Sequence, residues 1–246
     1  MNTLIKKFVA ALTGLLLVSS VFLLAGVNLV DASELEELDE SEELHLTFMR
    51  EEEKLARDVY IRFSEIYSDK PESQVFINIT ASETRHTLAV LHVLDKFGLE
   101  DPVTSDLVGD FSSEEFGEHF VEAFNALVDM GTVGYKPYEG SDYEVTGLLA
   151  ALYVGAFIEE LDMHDIILCP HEITDYNTQD SITSEDDCGM AYSGDVKAIQ
   201  RLYANLLKGS ESHLRAFVHN IEKFIGDGEY RAQYLDQAVV DEILGR

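Results

Sequence analysis

A glutamate and a histidine three residues apart, Glu83 and His86, interrupt an apolar helical pattern and constrain the fold of this chain. Ile79, Val90 and Phe97 share a helix face with this pair, since residues three and four apart lie above one another. Burying two ionisable groups in such a face is costly unless something pairs with them. A metal ion is a suitable partner, and Glu-x-x-His is the ligand pattern of dinuclear metal sites in four-helix bundles.

The rest of the chain predicts an all-α fold, with weak strand signals. Four long helical patterns are predicted, over residues 44–67, 74–97, 143–168 and 194–225. The long connection between the second and third holds a shorter helical pattern at 112–130, where Ser112 and Glu115 form a capping-box signature. This layout is that of a four-helix bundle with one long crossover. The tail after residue 226 is expected to pack a short helix against the bundle.

The N-terminus predicts export. Two lysines, Lys6 and Lys7, precede an apolar run over residues 8–30. Residues 1–32 are therefore interpreted as a signal peptide cleaved before Ser33, with an uncleaved membrane anchor as the alternative. In both cases the protein is extracellular or in the cell envelope, and it contacts the membrane only through residues 8–30 if they are retained. An acidic linker at 33–43 and the bundle at 44–246 follow.

The chain is strongly acidic, which bears on its partners. It has 17 Lys and Arg against 47 Asp and Glu, a net charge of −30. A nucleic-acid partner is excluded, because phosphate backbones require basic patches. Metal cations are the partners that this charge favours.

Two cysteines, Cys169 and Cys188, predict a disulfide in an exported protein. The disulfide would close a polar loop insertion over residues 169–188. The alternative is a small zinc site with His171 as third ligand, although no fourth ligand stands at a suitable spacing.

Each long helical pattern carries polar residues within its apolar face. The first contains Glu53, and Tyr60 lies two turns further on the same face. Glu51 and Glu52 are expected to be exposed or to flank this face. Glu52 could also face inward. The candidate metal ligands are Glu53, Glu83, His86, Glu159, Asp162 and His213. Two further residues, Tyr60 and Ser210, are expected to contact ligands rather than the metal, and no residue is assigned a catalytic role.

Four segments carry a family resemblance over about residues 44–225. They read FMREEEKLARDVY, ASETRH, VGAFIEELDMHDI and LKGSESHLRAF. They resemble the DUF2202 family, a ferritin-like group, and more broadly the di-iron bundles of the ferritin and rubrerythrin type. The resemblance implies that Glu83 bridges two metals.

Individual ligand roles follow from the same resemblance. It implies that Glu53 and Glu159 are terminal carboxylates and that His86 and His213 are imidazole ligands. The sequence departs from the pattern at Ser210, where a second Glu-x-x-His would have glutamate. Asp162 is the expected substitute, because Glu211 points about 100° away on an ideal helix.

Dinuclear iron is the expected cofactor, with manganese or zinc as alternatives, since carboxylate and imidazole ligands suit these metals. The resemblance implies a ferroxidase or peroxidase-like oxidoreductase. The chain has no C-x-x-C pair, so a peroxidase would need an external electron donor. The alternatives are a non-catalytic metal-binding bundle, a structural bundle at the cell envelope, or an unmetallated network that includes Arg57, Arg85 or Arg215. Assembly into oligomers is left open.

Overall fold

In the computed structural model the helices pack around one hydrophobic core. The structure describes residues 37–176, 182 and 184–246. Within them are seven α-helices and no strand: α1 Glu40–Ile66, α2 Gln74–Phe97, α3 Gly117–Val133, α4 Gly147–Ile167, α5 His171–Tyr176, α6 Lys197–Ile225 and α7 Gln237–Leu244. The all-α prediction is confirmed, and these helices form a helical bundle.

The four long helices have an up-down-down-up arrangement. His45, in the N-terminal part of α1, contacts the carbonyl of Asp165 near the C-terminal end of α4. Further along α1, the Tyr60 hydroxyl donates to the carbonyl of Gly155, nearer the start of α4. These two helices are therefore antiparallel. By contrast, α1 and α6 run parallel, since His45 meets Tyr203 and Tyr60 packs on Phe217. The long connection between α2 and α4 accordingly spans the length of the bundle.

The boundaries of α2 agree with the predicted 74–97, and Gly98 ends this helix in the left-handed conformation. The predicted start of α1 was wrong by four residues. Asp39 accepts a hydrogen bond from the Glu42 amide, and the Glu42 carboxylate accepts one from the Asp39 amide. This capping box begins the helix inside the predicted acidic linker of residues 33–43, so residues 40–43 are the first turn of α1.

The capping box predicted for the crossover helix was also wrong. α3 begins at Gly117, five residues after Ser112, and Phe116 stands at its N-cap without a side-chain cap. Ser112 contacts Thr104 instead, and the Ser113 hydroxyl accepts a hydrogen bond from the Phe116 amide. The contact of Ser112 with Thr104 thus replaces the predicted capping contact with Glu115.

The crossover covers the side of α1 that an amphipathic helix would expose to water. Ion pairs Arg50–Asp101 and Arg57–Asp106 and a hydrogen bond from Lys54 Nζ to the Leu107 carbonyl hold it there. Consequently α1 is buried without interruption over residues 48–60. Its basic side chains, Arg50, Lys54 and Arg57, are paired with carboxylates rather than solvated.

The disulfide prediction is confirmed, because Cys169 and Cys188 are bonded. The alternative zinc site with His171 is therefore wrong. A disulfide is consistent with an exported protein. The predicted signal peptide or anchor, residues 1–32, lies outside the described residues. Among the helices of the described part, none combines the length and apolar character that crossing a membrane requires.

The tail does pack a short helix, α7, against the bundle, as predicted, and Val240 is its buried residue. A buried carboxylate on α4 anchors the preceding segment. Glu160 accepts a hydrogen bond from the Tyr230 hydroxyl and further bonds from three backbone amides, those of Gln233, Tyr234 and Leu235. These four donors satisfy the charge of this buried group.

Candidate metal centre

Glu83 lies between two imidazoles at the centre of the bundle. Its Oε2 is 2.9 Å from His86 Nδ1, and its Oε1 is 2.7 Å from His213 Nδ1. The two histidines come from different helices, α2 and α6, and their ring centroids are 5.4 Å apart. One carboxylate thus presents each of its oxygens to a different imidazole.

Each imidazole also meets a second carboxylate. His86 Nδ1 is 3.3 Å from Glu53 Oε2 on α1, and His213 Nδ1 is 3.3 Å from Glu159 Oε2 on α4. The order Glu53–His86–Glu83–His213–Glu159 therefore joins all four long helices at one level. Two ligand atoms bound at about 2.1 Å to a common ion, at right angles to each other, are about 3 Å apart, close to these separations.

Several atoms of this cluster have no hydrogen-bond partner although water does not reach them. They are Glu53 Oε1, Glu83 Oε1, Asp162 Oδ1 and the Nδ1 atoms of His86 and His213. The N···O contacts above are short enough for ion pairs, but their directions do not suit hydrogen bonds. Buried polar atoms are normally paired, so this concentration of unpaired atoms is unusual. Glu83, His86 and His213 alone offer ligand atoms within 4.8 Å of one another, and so could hold a metal ion.

Asp162, the expected substitute for the missing glutamate, is buried and contacts Ser210, and its role as a metal ligand stays a prediction. The Ser210 hydroxyl donates a short hydrogen bond to Asp162 Oδ2 and another, of 3.1 Å, to the Leu206 carbonyl. Ser210 therefore orients Asp162 and leaves its Oδ1 unpaired inside the cluster. Five of the six predicted ligands are at most 7 % exposed, and the His86 side chain is 13 % exposed.

The electrostatics of the metal-free cluster show how strongly its members interact. Burial raises the pKa of Glu83, but the two imidazoles outweigh it and lower that pKa to about 2. Burial opposes charge on the imidazoles too, yet Glu53 and Glu83 raise the pKa of His86 to about 11. In the same way Glu159 and Glu83 raise the pKa of His213 to about 10. Without metal, both imidazoles are thus protonated at neutral pH.

The remaining carboxyls respond in the opposite direction. Burial and the charge of Asp162 raise the pKa of Glu53 well above its usual value. Burial, then Glu159, raise the pKa of Asp162 to about 8. The pKa of Glu159 is also raised, with burial as the first cause. Protons therefore neutralise part of the excess negative charge in this cluster, and a cation would displace them.

Tyr60 lies beside the cluster and contacts Glu159. Its hydroxyl donates to Glu159 Oε1 at 2.6 Å, with the Gly155 carbonyl at 3.3 Å. Its ring packs between Phe76 and Phe217 in an aromatic group. Tyr60 thus fixes the orientation of Glu159 and closes one end of the cluster with apolar surface.

Sequence reasoning missed Gly209, which stands next to Ser210 on α6. A Cβ atom at this position would lie 2.4 Å from His86 Cε1 and 2.6 Å from Nε2. The absence of a side chain at 209 therefore allows the imidazole to lie between α2 and α6. A glycine in the interior of a long helix is the signal that could have revealed this contact.

The expectation that Glu51 is exposed or flanking was wrong, because Glu51 is buried. Glu52 is buried too, so for this residue the alternative of an inward position is the correct one. Ser113 donates to Glu51, and Glu52 lies close to Asp165, which the sequence did not single out. The acidic run at 51–53 was the available signal. The crossover is the reason for the error, since it covers the α1 face that carries Glu51.

Arginines engage other partners than this cluster. Arg57 pairs with Asp58 and Asp106, and Arg215 pairs with Glu211. The three residues Glu83, His86 and His213 therefore remain without an arginine partner among these two, and they could hold a metal ion.

Comparison with known proteins shows the family. The model described as "Uncharacterized protein domain (DUF2202)" matches residues 42–246, so the chain belongs to the DUF2202 family. It is 35 % identical over 207 residues to the uncharacterized protein MJ0754 of Methanocaldococcus jannaschii, spanning 84 % of this chain and 88 % of that protein. The crystal structure of hypothetical protein MJ0754 superimposes with a TM-score of 0.61 at 32 % identity, covering 86 % of this chain and 95 % of that one.

Proposed function

We propose that this member of the DUF2202 family is an exported, ferritin-like protein that binds two iron ions and oxidises Fe(II) with oxygen or hydrogen peroxide. The observation that carries the proposal is the position of Glu83, with one oxygen beside each imidazole and both Nδ1 atoms lacking hydrogen bonds. A carboxylate between two imidazoles is the arrangement that bridges a pair of metals in helical bundles.

The residues divide into two ligand sets. Glu53 and His86 would hold one ion, Glu159 and His213 the other, and Glu83 with Asp162 would serve both. This assignment gives each ion one imidazole and three carboxylates, a set that suits iron or manganese, with zinc as a further candidate. The absence of cysteine from the cluster disfavours soft metals, since both cysteines are in the disulfide.

The topology supports the ferritin-like proposal. A bundle in which a long crossover separates two antiparallel helix pairs is the arrangement of ferritin-like folds. In this chain α1 and α2 form the first pair, α4 and α6 the second, and the crossover carries α3. Fold likeness alone does not determine activity, so the activity proposal depends on the ligand set.

The side chains of the cluster would keep water out and manage protons. Two Fe(II) ions held by these residues would supply two electrons, which with two protons would convert one peroxide into two waters, or one oxygen into one peroxide. The protons displaced from His86 and His213 on binding leave these residues as neutral ligands. Tyr60, through its bond to Glu159, holds one terminal carboxylate in place. Return to Fe(II) would require an external electron donor.

Anaerobic titration of the purified domain with Fe(II), followed by addition of oxygen or peroxide, tests this function. The expected result is close to two equivalents bound, then rapid oxidation with a ligand-to-metal absorption band. Glu83→Ala and His86→Ala should abolish tight binding. Glu211→Gln is the matched control, because Glu211 is next to Ser210 but is exposed and pairs with Arg215.

The alternative functions give different results. Binding of two equivalents without rapid oxidation would indicate a metal-holding bundle rather than an oxidase. Less than about half an equivalent, or full occupancy in both Glu83→Ala and His86→Ala, would reject the metal centre. A structural bundle would then be the remaining interpretation.

A further inference from the structure

The cluster of acids and imidazoles is closed more tightly on some sides than on others. The side chains of Glu53, Glu83 and Glu159 are at most 3 % exposed. By contrast, the side chains of His86 and His213 are 13 % and 9 % exposed. These histidines lie on α2 and α6, and their ring centroids are 5.4 Å apart. Water therefore comes nearest to the cluster between these two helices.

The other sides of the cluster are covered in the part of the chain that the structure describes. α1 is buried over residues 48–60, beneath the crossover, and α4 is buried over residues 150–156. The neighbours of the two imidazoles on α2 and α6, Arg85 and Ser212, are instead exposed. A molecule from the solvent thus has its shortest path to the cluster along α2 and α6.

A glycine leaves space at this point. His86 Nδ1 meets Glu53 and Glu83, whereas its other ring nitrogen, Nε2, lies beside Gly209 of α6. A Cβ atom at Gly209 would be 2.6 Å from that nitrogen, closer than packed atoms approach. Any side chain here would therefore fill the space between the imidazole and α6.

α2 and α6 run antiparallel and form a groove. Phe76, near the start of α2, packs on Phe217, whereas His86 further along α2 lies against Gly209, which comes earlier on α6. The part of α6 that follows Gly209 accordingly lies beside the first half of α2. We call this surface the α2–α6 groove.

A cavity of about 340 Å³ lies in the α2–α6 groove. Val75 and Asn78 line it from α2, and Ala216 and Asn220 line it from α6. Ala216 comes three residues after His213, so the two share a helix face and are about 4.5 Å apart along the axis. The cavity therefore begins about one helical turn from the nearer imidazole.

The charge of this cavity suits an uncharged molecule. Its described lining contains one acid, Glu72, and one lysine, Lys223, and the other polar residues are His219 and three amides. A cavity of about 510 Å³ beside α1 is different, because six acids line it: Glu40, Glu43, Glu100, Asp101, Glu114 and Glu115. Acidic surfaces concentrate cations, and an uncharged molecule gains nothing from them. The two cavities thus fit different kinds of molecule.

We propose that a small uncharged oxidant, oxygen or hydrogen peroxide, reaches the metal centre through the α2–α6 groove, from the cavity at Ala216 past Gly209 and the two imidazoles. This inference rests on the proposed function, because it needs a centre at which the oxidant reacts. The short side chain of Ala216 and the missing one of Gly209 set the width of the route.

Stopped-flow binding of nitric oxide to the Fe(II)-loaded protein, without oxygen, tests the route. Nitric oxide is small and uncharged, and it gives Fe(II) a visible absorption band, so its binding reports entry without turnover. Ala216→Leu and Ala216→Phe extend a side chain into the cavity and should slow binding roughly tenfold or more. The amount of bound Fe(II) and the final absorption should not change. Ala216→Leu serves if the larger variant folds poorly.

Thr47→Leu is the matched control. Thr47 is a residue of α1 that lines the acidic cavity, and its hydroxyl donates to the Glu43 carbonyl of the same helix. The variant therefore narrows a cavity of similar size on the other side of the bundle. It should bind nitric oxide at the wild-type rate.

The outcomes separate the route from the proposed function. Wild-type binding rates in both Ala216 variants would overturn the route, and so would equal slowing in Thr47→Leu or bound Fe(II) that takes up no nitric oxide. Slow binding in the Ala216 variants, combined with iron that neither oxygen nor peroxide oxidises, would reject the oxidase and retain the groove as the entry for small uncharged molecules. A protein that binds no Fe(II) would reject the route together with the metal centre.

Discussion

Replacing Gly209 by alanine should displace His86, a proposed metal ligand, without removing any of the proposed ligands from the chain. The new Cβ would lie 2.4 Å from His86 Cε1, whereas carbon atoms in contact are about 3.5 Å apart or more. The imidazole must therefore move by about 1 Å, since the helical backbone of α6 is less free to shift. The His86 side chain is 13 % exposed, whereas those of Glu53 and Glu83 are 1 % and 3 % exposed, so we expect the imidazole to move toward the solvent and away from the two carboxylates.

The expected magnitude differs between folding and metal binding. Overpacking costs about 1–3 kcal/mol, while alanine in place of glycine inside a helix recovers about 1 kcal/mol. The metal-free protein should therefore lose only about 0–2 kcal/mol of unfolding free energy. Loss of His86 as a ligand should weaken one of two sites at least about 100-fold, because even changes around a ligand cost 10–100-fold.

Anaerobic calorimetric titration with Fe(II), together with chemical unfolding of the metal-free protein, measures both quantities. Gly209→Ala should bind close to one equivalent tightly instead of two. Gly155→Ala is the control, because its Cβ would lie 2.4 Å from Phe217 rather than from a ligand. It should lower stability while keeping two equivalents. Two tight equivalents in Gly209→Ala would refute the argument that His86 must lie against this glycine.

Two further predictions concern stability. Burial lowers the pKa of His45 to about 4, from about 6.5 in the unfolded chain. The folded protein therefore holds His45 in its neutral form, and the resulting contribution to stability is complete above pH 6.5. This contribution is lost as the pH falls from 6.5 toward 4, because the unfolded chain then binds a proton that the folded protein does not. In His45→Gln, the unfolding free energy should fall by about 3 kcal/mol less than in the wild type between pH 6.5 and pH 4. Parallel curves of unfolding free energy against pH for the two proteins would contradict the lowered pKa of His45. The double variant Cys169→Ala/Cys188→Ala should lower the unfolding free energy by roughly 3 kcal/mol, and reducing agent should destabilise the wild type but not the variant in thermal unfolding.

The local features of α2 were readable from the sequence. Its apolar periodicity and the following Gly98 predicted the helix at 74–97, and the structure has it there. The same periodicity placed Glu83 and His86 on the inward face. These predictions hold because helix period and C-cap conformation depend on neighbouring residues of one segment. The metal role of the pair stays a prediction.

The α1 helix shows where such reasoning fails. A helix with water on one side has one buried face, but the crossover covers the remaining side of α1, so Glu51 and Lys54 are buried as well. Glu52 is buried beside Asp165 of α4. Periodicity therefore could not tell which of the three adjacent glutamates faces the centre and which serve other contacts. The ion pairs of the crossover, made by residues about fifty positions away, decide this.

The sequence by itself determined which side chains α2 presents inward, because this depends on a repeat of 3.6 residues along one segment. Only the tertiary structure decided how far each helix is shifted along its axis relative to its neighbours, and therefore which of the inward side chains contact one another. This arrangement brings Glu83 between His86 and His213, and it lets Ser210 orient Asp162 where a glutamate was missing. The physical reason is that the height and rotation of neighbouring helices follow from the packing of all their side chains together, which no single periodic pattern contains.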